Sequence, residues 1–165
     1  MSVSHPLFSA TLQVTGPEAT RDLAECIAPW LRAGDTLLLS GEIGAGKTHF
    51  ARSVIQTLQA AHGMAEDVPS PSFTLVQTYM AGDLEIWHAD MYRLTQPDEL
   101  LELGLEEALD TALCMIEWPD RLAGMAPDDA LELAFTLGQA EGTRDITLTS
   151  AAPAWKTRLA GCIAA

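Results

Sequence analysis

Apolar residues recur along this chain in two rhythms, and the switches between them mark out the elements. Phe8 to Val14 alternates apolar with polar, as a strand with one buried face does. Pro17-Glu18 opens a helix whose Leu23, Ile27 and Leu31 lie at helical spacing, and Gly34-Asp35 makes a turn. Thr36-Leu37-Leu38-Leu39-Ser40 is a short unbroken apolar run, the pattern of a central strand covered on both faces. A helix is predicted from about Lys47 to Leu58, with Phe50, Val54, Ile55 and Leu58 facing a core. After a break at Pro69 to Ser72, two strands are predicted, Phe73 to Tyr79 and Leu84 to Asp90, joined by Ala81-Gly82-Asp83. Pro97-Asp98-Glu99 starts another helical stretch, divided at Gly104 and reaching about Asp110. Leu113 to Ile116 is a second buried strand ending at Glu117. Leu131 to Leu137 and Asp145 to Thr149 are strand-like, and a short helix from about Ala154 closes the chain. Strands alternating with helices, then extra strands, predict an α/β fold with a mixed sheet.

The junction between the first apolar run and its helix carries the chemistry. Gly41-Glu42-Ile43-Gly44-Ala45-Gly46-Lys47-Thr48 meets G-x-x-x-x-G-K-[ST] at every required position. Its glycines let the backbone turn its N–H groups inward onto phosphate oxygens, and the helix N-terminus adds partial positive charge. The Lys47 ammonium would bridge the β- and γ-phosphates, and the Thr48 hydroxyl would ligate Mg²⁺. Glu42, Ile43, Gly44, Ala45, Gly46, Lys47 and Thr48 are therefore the expected nucleotide-binding residues. The fold class becomes a P-loop NTPase-like three-layer sandwich with a mixed, mainly parallel central sheet. At 165 residues, a single domain over residues 1–165 is expected.

Composition narrows the partners. Nine basic against 23 acidic residues leave a formal net charge of −14, and Lys47 is one of two lysines. Such a surface repels a polyanion, so direct nucleic-acid binding is not expected and partner proteins with basic patches fit better. Acidity that merely keeps the protein in solution is an equally good reading. Neither a bilayer-spanning apolar run nor a secretory signal is apparent. Cys26, Cys114 and Cys162, scattered and without C-x-x-C spacing, read as reduced thiols of a cytoplasmic protein.

Mg²⁺ in a phosphate-loop site needs a carboxylate at the end of a neighbouring strand. Glu117 is the candidate for the metal, and Asp90 for orienting the attacking water or the metal's water shell. For either residue alone, a salt bridge or a helix cap is the plainer explanation. His88 and Asp90, two apart on a strand, face one side, but no nearby His or Cys completes a zinc set. His49 reads as a helix surface residue. Ser72, in Ser70-Pro71-Ser72-Phe73-Thr74, is either a hydroxyl that senses the γ-phosphate and orders a switch loop or part of a simple turn.

Taken together, the phosphate loop, Ser70 to Val76, His88-Ala89-Asp90-Met91-Tyr92-Arg93-Leu94, Glu99 to Gly104 and Ile116-Glu117-Trp118-Pro119 resemble the bacterial tRNA threonylcarbamoyladenosine biosynthesis ATPase family, TsaE. The resemblance covers roughly residues 10 to 150, and the segments around Asp90 and Glu117 are its specific part. It implies a weak Mg²⁺-dependent ATPase working with two partner proteins, TsaB and the catalytic TsaD. These attach threonylcarbamoyl to the adenosine after the anticodon in ANN-decoding tRNAs, so tRNA is met only indirectly. It implies Lys47 and Thr48 on phosphate and Mg²⁺, Glu117 as metal ligand, Asp90 as needed for hydrolysis and Ser72 in the switch. Trp118 looks like the family's tryptophan beside the metal, or serves packing. The chain departs from the family where Ser72 replaces a threonine and at Asp120-Arg121. The family's base contacts, near Glu18 to Thr20 and Gly142 to Arg144, stay unassigned. ATP as the nucleotide follows from the resemblance, since no base-reading N-K-x-D is present. The rival readings are a small P-loop kinase acting on a metabolite and a nucleotide-binding module that scarcely hydrolyses. The seven dispersed arginines form no clustered lid, and only Arg93 falls close to Asp90.

Overall fold

Every strand that the alternation predicts is present, and all of them join one sheet. The computed structural model describes residues 6–64, 68–69, 71, 75–94, 96, 98–122 and 124–163. The strands are β1 (Phe8–Thr15), β2 (Thr36–Gly41), β3 (Val76–Ala81), β4 (Leu84–Asp90), β5 (Leu113–Glu117), β6 (Leu131–Leu137) and β7 (Thr143–Ser150). They lie in the order β1-β7-β6-β2-β5-β4-β3. The centre is parallel: β2 pairs with β5 and β6, and β5 with β4. The β1–β7, β6–β7 and β3–β4 pairings are antiparallel. This is the mixed α/β phosphate-loop fold that the sequence predicts. Two strand starts differ: β3 begins at Val76 rather than Phe73, residues 72–74 lying outside the described residues, and β7 begins at Thr143 rather than Asp145.

The helices are α1 (Gly16–Ile27), α2 (Lys47–Ala60), α3 (Asp98–Leu103), α4 (Leu105–Thr111), α5 (Ala154–Arg158) and α6 (Ala160–Ile163). Leu31 is buried as its spacing predicts, but it lies beyond α1, which gives way to a 3₁₀ turn over Ala28–Trp30. Pro29 accounts for this, since it has no N–H to continue the helix. Gly104, left-handed at φ 79, separates α3 from α4.

Strand alternation sorts the sheet into two cores. Leu37, Leu39 and Met115 face α1 and α2, where Ile27, Phe50, Val54 and Ile55 are wholly buried. Ala89, Cys114 and Ile116 face the other side, against Leu105 and Leu109 of α4. Each Leu, Ile, Val, Phe or Met among them contributes roughly 1.5–3 kcal/mol when fully removed from water. All five positions of β5 are buried, as a strand covered on both faces must be. Glu117, two residues past Met115, therefore emerges on the α2 face at the strand's end.

The cysteine expectation needs correcting. Cys26 of α1 and Cys162 of α6, 136 residues apart, are joined in a disulfide with Cα atoms 5.8 Å apart, and only Cys114 is a free, buried thiol. The sequence pattern could not place the last helix against the first. Arg158 strengthens the same junction, its Nη1 donating to Asp35 Oδ1 at 3.0 Å while its guanidinium lies over Trp155. Among the described residues no helix is long and apolar enough to cross a membrane.

Candidate functional site

The loop between β2 and α2 is shaped by glycines where side chains could not fit. Gly41 has φ +140, and a Cβ there would run into the carbonyl oxygen of Phe135 on β6. Gly46, the residue before α2, is left-handed at φ 110 and offers no capping side chain. The first turn of α2 therefore presents N–H groups that have no acceptor within the helix. Ala45 N–H donates to Glu42 O at 3.1 Å and closes the turn behind them. Glu42 and Ile43 are exposed at the loop tip.

Lys47 is buried and folded back on its own loop. Its ammonium donates to Gly41 O and, at 3.3 Å, to Glu42 O, and it sits 3.9 Å from the centre of the Trp118 ring. Burial lowers its pKa below the usual 10.5, and the carboxylates of Glu117 and Asp90 pull it back up. Trp118 holds its place with a left-handed backbone, φ 59, a costly conformation for a bulky residue. Its N–H donates to Leu39 O on β2 at 3.2 Å, and its ring packs on Tyr92 at 5.0 Å. The residue that the sequence leaves between a metal-site and a packing role thus touches the phosphate-loop lysine.

The carboxylates converge from two neighbouring strands. Asp90 of β4 stands opposite Glu117 of β5 in the parallel register. Asp90 accepts a hydrogen bond from Tyr92 N–H at 3.0 Å. The Thr48 hydroxyl lies 2.8 and 3.0 Å from the two Glu117 carboxylate oxygens. Two adjacent oxygen ligands on Mg²⁺, with bonds of about 2.0–2.1 Å, stand about 2.9 Å apart, so this spacing fits a shared ion. Among the described residues no group of three His, Cys, Asp or Glu could hold a metal. Mg²⁺ beside a triphosphate needs only one or two protein oxygens, the phosphate and water supplying the rest.

Lys47, Thr48, Asp90 and Glu117 share a cavity of about 540 Å³, closed on one side by Trp118 and Tyr92. Arg93 also lines it. A second cavity of about 290 Å³ opens on the other flank of the loop, between Pro17, Thr20, His49, Gly142 and Arg144. The two segments left unassigned from the sequence meet there. His49 is more than a surface residue, since its Nε2 lies 2.9 Å from Pro17 O and ties α2 to α1. Ser72 lies outside the described residues.

Sequence reasoning weighed His88 only as half of a metal pair with Asp90, and missed it as a partner of Glu117. His88 is wholly buried, and its Nε2 lies 2.7 Å from Glu117 Oε2. Alternation along β4 already places it on the face of Asp90. Its partner, however, is 29 residues away on the next strand, and only the register brings the two together.

Comparison with known proteins identifies the family. The family model described as Threonylcarbamoyl adenosine biosynthesis protein TsaE matches residues 14–146. A tRNA threonylcarbamoyladenosine biosynthesis protein TsaE from Rickettsia conorii is 40% identical over 116 residues, spanning 70% of this chain and 65% of that protein. The chain thus covers just under two thirds of that relative's length. The protein of the same name from Bacillus subtilis is 32% identical over 139 residues, 84% of each chain. The crystal structure of Bacillus subtilis YdiB superposes with a TM-score of 0.76 at 26% identity, covering 96% of this chain and 97% of that one.

Proposed function

Because the chain belongs to the TsaE family of threonylcarbamoyl adenosine biosynthesis proteins, we propose that it is a Mg²⁺-dependent ATPase whose turnover supports repeated cycles of this tRNA modification while it is docked on TsaB and TsaD. The observation that carries the reading is the meeting of Thr48 and Glu117 at the mouth of the phosphate loop. It supplies a cation seat directly beside the open first turn of α2. Residues 42–46 and the α2 N-terminus receive the polyphosphate through backbone N–H groups. Lys47 exchanges its contacts with Gly41 O, Glu42 O and the Trp118 ring for phosphate oxygens. Thr48 and Glu117 hold Mg²⁺, which when bound neutralises charge that builds on the phosphates. Asp90, buried beside Glu117, accepts a hydrogen bond from the attacking water and orients it. Base and ribose take the flanking cavity by Thr20, His49 and Arg144. Ser72 supplies the hydroxyl of the switch.

The net charge of −14 supports indirect action on tRNA, through protein partners. The test is to reconstitute the modification with and without this chain while following ATP consumption. Phosphate release that needs no acceptor and rises with TsaB and TsaD is the expected outcome. Phosphate appearing on a small molecule would establish a kinase instead. Phosphate release that stays negligible with the partners present would leave a binding module.

A further inference from the structure

We infer that His88 is a positioning residue that holds the Glu117 carboxylate in the orientation a divalent cation at Thr48 requires. The inference rests on the nucleotide reading above and deepens it. His88 is 0% exposed, and its Nε2 stands 2.7 Å from Glu117 Oε2. A carboxylate only accepts hydrogen bonds, so the proton lies on Nε2 and the imidazole donates. Glu117 is thus gripped from two sides, by the Thr48 hydroxyl and by the His88 N–H. A hydroxyl can ligate a cation through a lone pair while its hydrogen stays on the carboxylate, so the two grips can act together on Glu117. A glutamate so restrained keeps its oxygens in place without losing further rotamer freedom when the ion arrives.

The other ring nitrogen argues against simple packing. His88 Nδ1 is buried with no hydrogen-bond partner among the described residues. A buried polar atom left unpaired is destabilising, and leucine or phenylalanine would fill the space without that penalty. An imidazole in this position is useful for its Nε2–H. Outer partners that orient a ligating carboxylate typically set metal affinity or activity by about 10- to 100-fold.

The test measures Mn²⁺ uptake by the full chain with saturating ADP, from the paramagnetic resonance of the free ion. His88→Leu should weaken Mn²⁺ binding about 10- to 100-fold, while ADP binding in chelator stays at the parent value. His88→Gln, which places an amide N–H near the same point, should restore most of the affinity. In a Glu117→Ala background His88→Leu should cause no further loss. A folded His88→Leu chain that takes up Mn²⁺ like the parent overturns the inference. So does an equal loss of metal-free ADP binding, which would mean a general role in packing. If His88→Leu does not fold, His88→Gln decides: near-parent uptake supports the inference, and uptake as weak as that of Glu117→Ala overturns it. A parent chain that takes up no Mn²⁺ with ADP removes the nucleotide reading and this inference together, whereas a normal parent with an unaffected His88→Leu removes this inference alone.

Discussion

The Thr48 hydroxyl and the Glu117 carboxylate, 69 residues apart in sequence, meet at 2.8 and 3.0 Å between the first turn of α2 and the end of β5. The contact joins the phosphate loop to the neighbouring strand, and its two ends are both oxygen donors suited to a hard cation. Glu117→Ala should slow ATP turnover by about a hundredfold or more and leave nucleotide binding in chelator nearly unchanged. Asp90→Asn should likewise spare binding and depress turnover. Calorimetry paired with phosphate release checks both. A Glu117→Ala chain that hydrolyses ATP at the parent rate would sink the metal assignment.

Lys47 makes nucleotide affinity depend on pH. Its pKa in the free protein is lowered from 10.5 by burial, against the pull of Glu117 and Asp90. A bound polyphosphate favours the ammonium and raises that pKa. The lysine's share of the affinity is therefore complete below the lowered value and fades as pH climbs through it. The same shift acts on stability with the opposite trend. Between the lowered value and 10.5 the unfolded chain holds more protons at this site than the folded one, so the site's contribution to stability increases with pH. Lys47→Ala should weaken nucleotide binding by at least about tenfold, the equivalent of one charged hydrogen bond. It should also flatten the alkaline slope, as titration calorimetry across that range would show.

Thiol counting tests the pairing of the first and last helices. Cys114 is buried, and burial, assisted by the charge of Glu85, pushes its pKa up to about 12. A folded, unreduced chain should show no thiol reactive toward a colorimetric disulfide reagent. Unfolding without reductant should release one, and unfolding with prior reduction three. Three thiols in the unreduced unfolded chain would return Cys26 and Cys162 to the unpaired state that the sequence suggests.

Arg158 anchors α5 through Asp35, both side chains mostly buried at 16% and 11% exposure. Arg158→Ala removes the cation from that carboxylate, leaving it the Arg32 backbone N–H at 2.8 Å, and strips the cover from Trp155. A loss of about 2 kcal/mol is expected, lowering the melting temperature by roughly 4–8 °C in a chain of this size. Scanning calorimetry would show it. Nucleotide affinity should not change, since the junction lies away from the phosphate loop.

Much of the site was legible because its parts are local. Gly41 to Thr48 is contiguous; the strand before it is read from an unbroken apolar run and the helix after it from a period of about 3.6. Gly104 could be read as a division because a left-handed residue there interrupts a helix whatever surrounds it. Asp90 and Glu117 could be nominated since each follows a predicted strand, though nothing in one dimension said that they share a register position. The segments around residues 20 and 144 stayed unassigned because neither has a local signature, and they come together only across a cavity that folding creates.

By itself the sequence determined the order and type of the elements, the phosphate-loop motif and the surplus of negative charge, all readable along the chain. Folding decided the rest. The strand order brought His88 and Asp90 against Glu117, set Trp118 over the Lys47 ammonium and carried Cys162 back to Cys26. Each of those contacts joins residues on different elements, and spacing in one dimension carries no record of which strands will lie side by side.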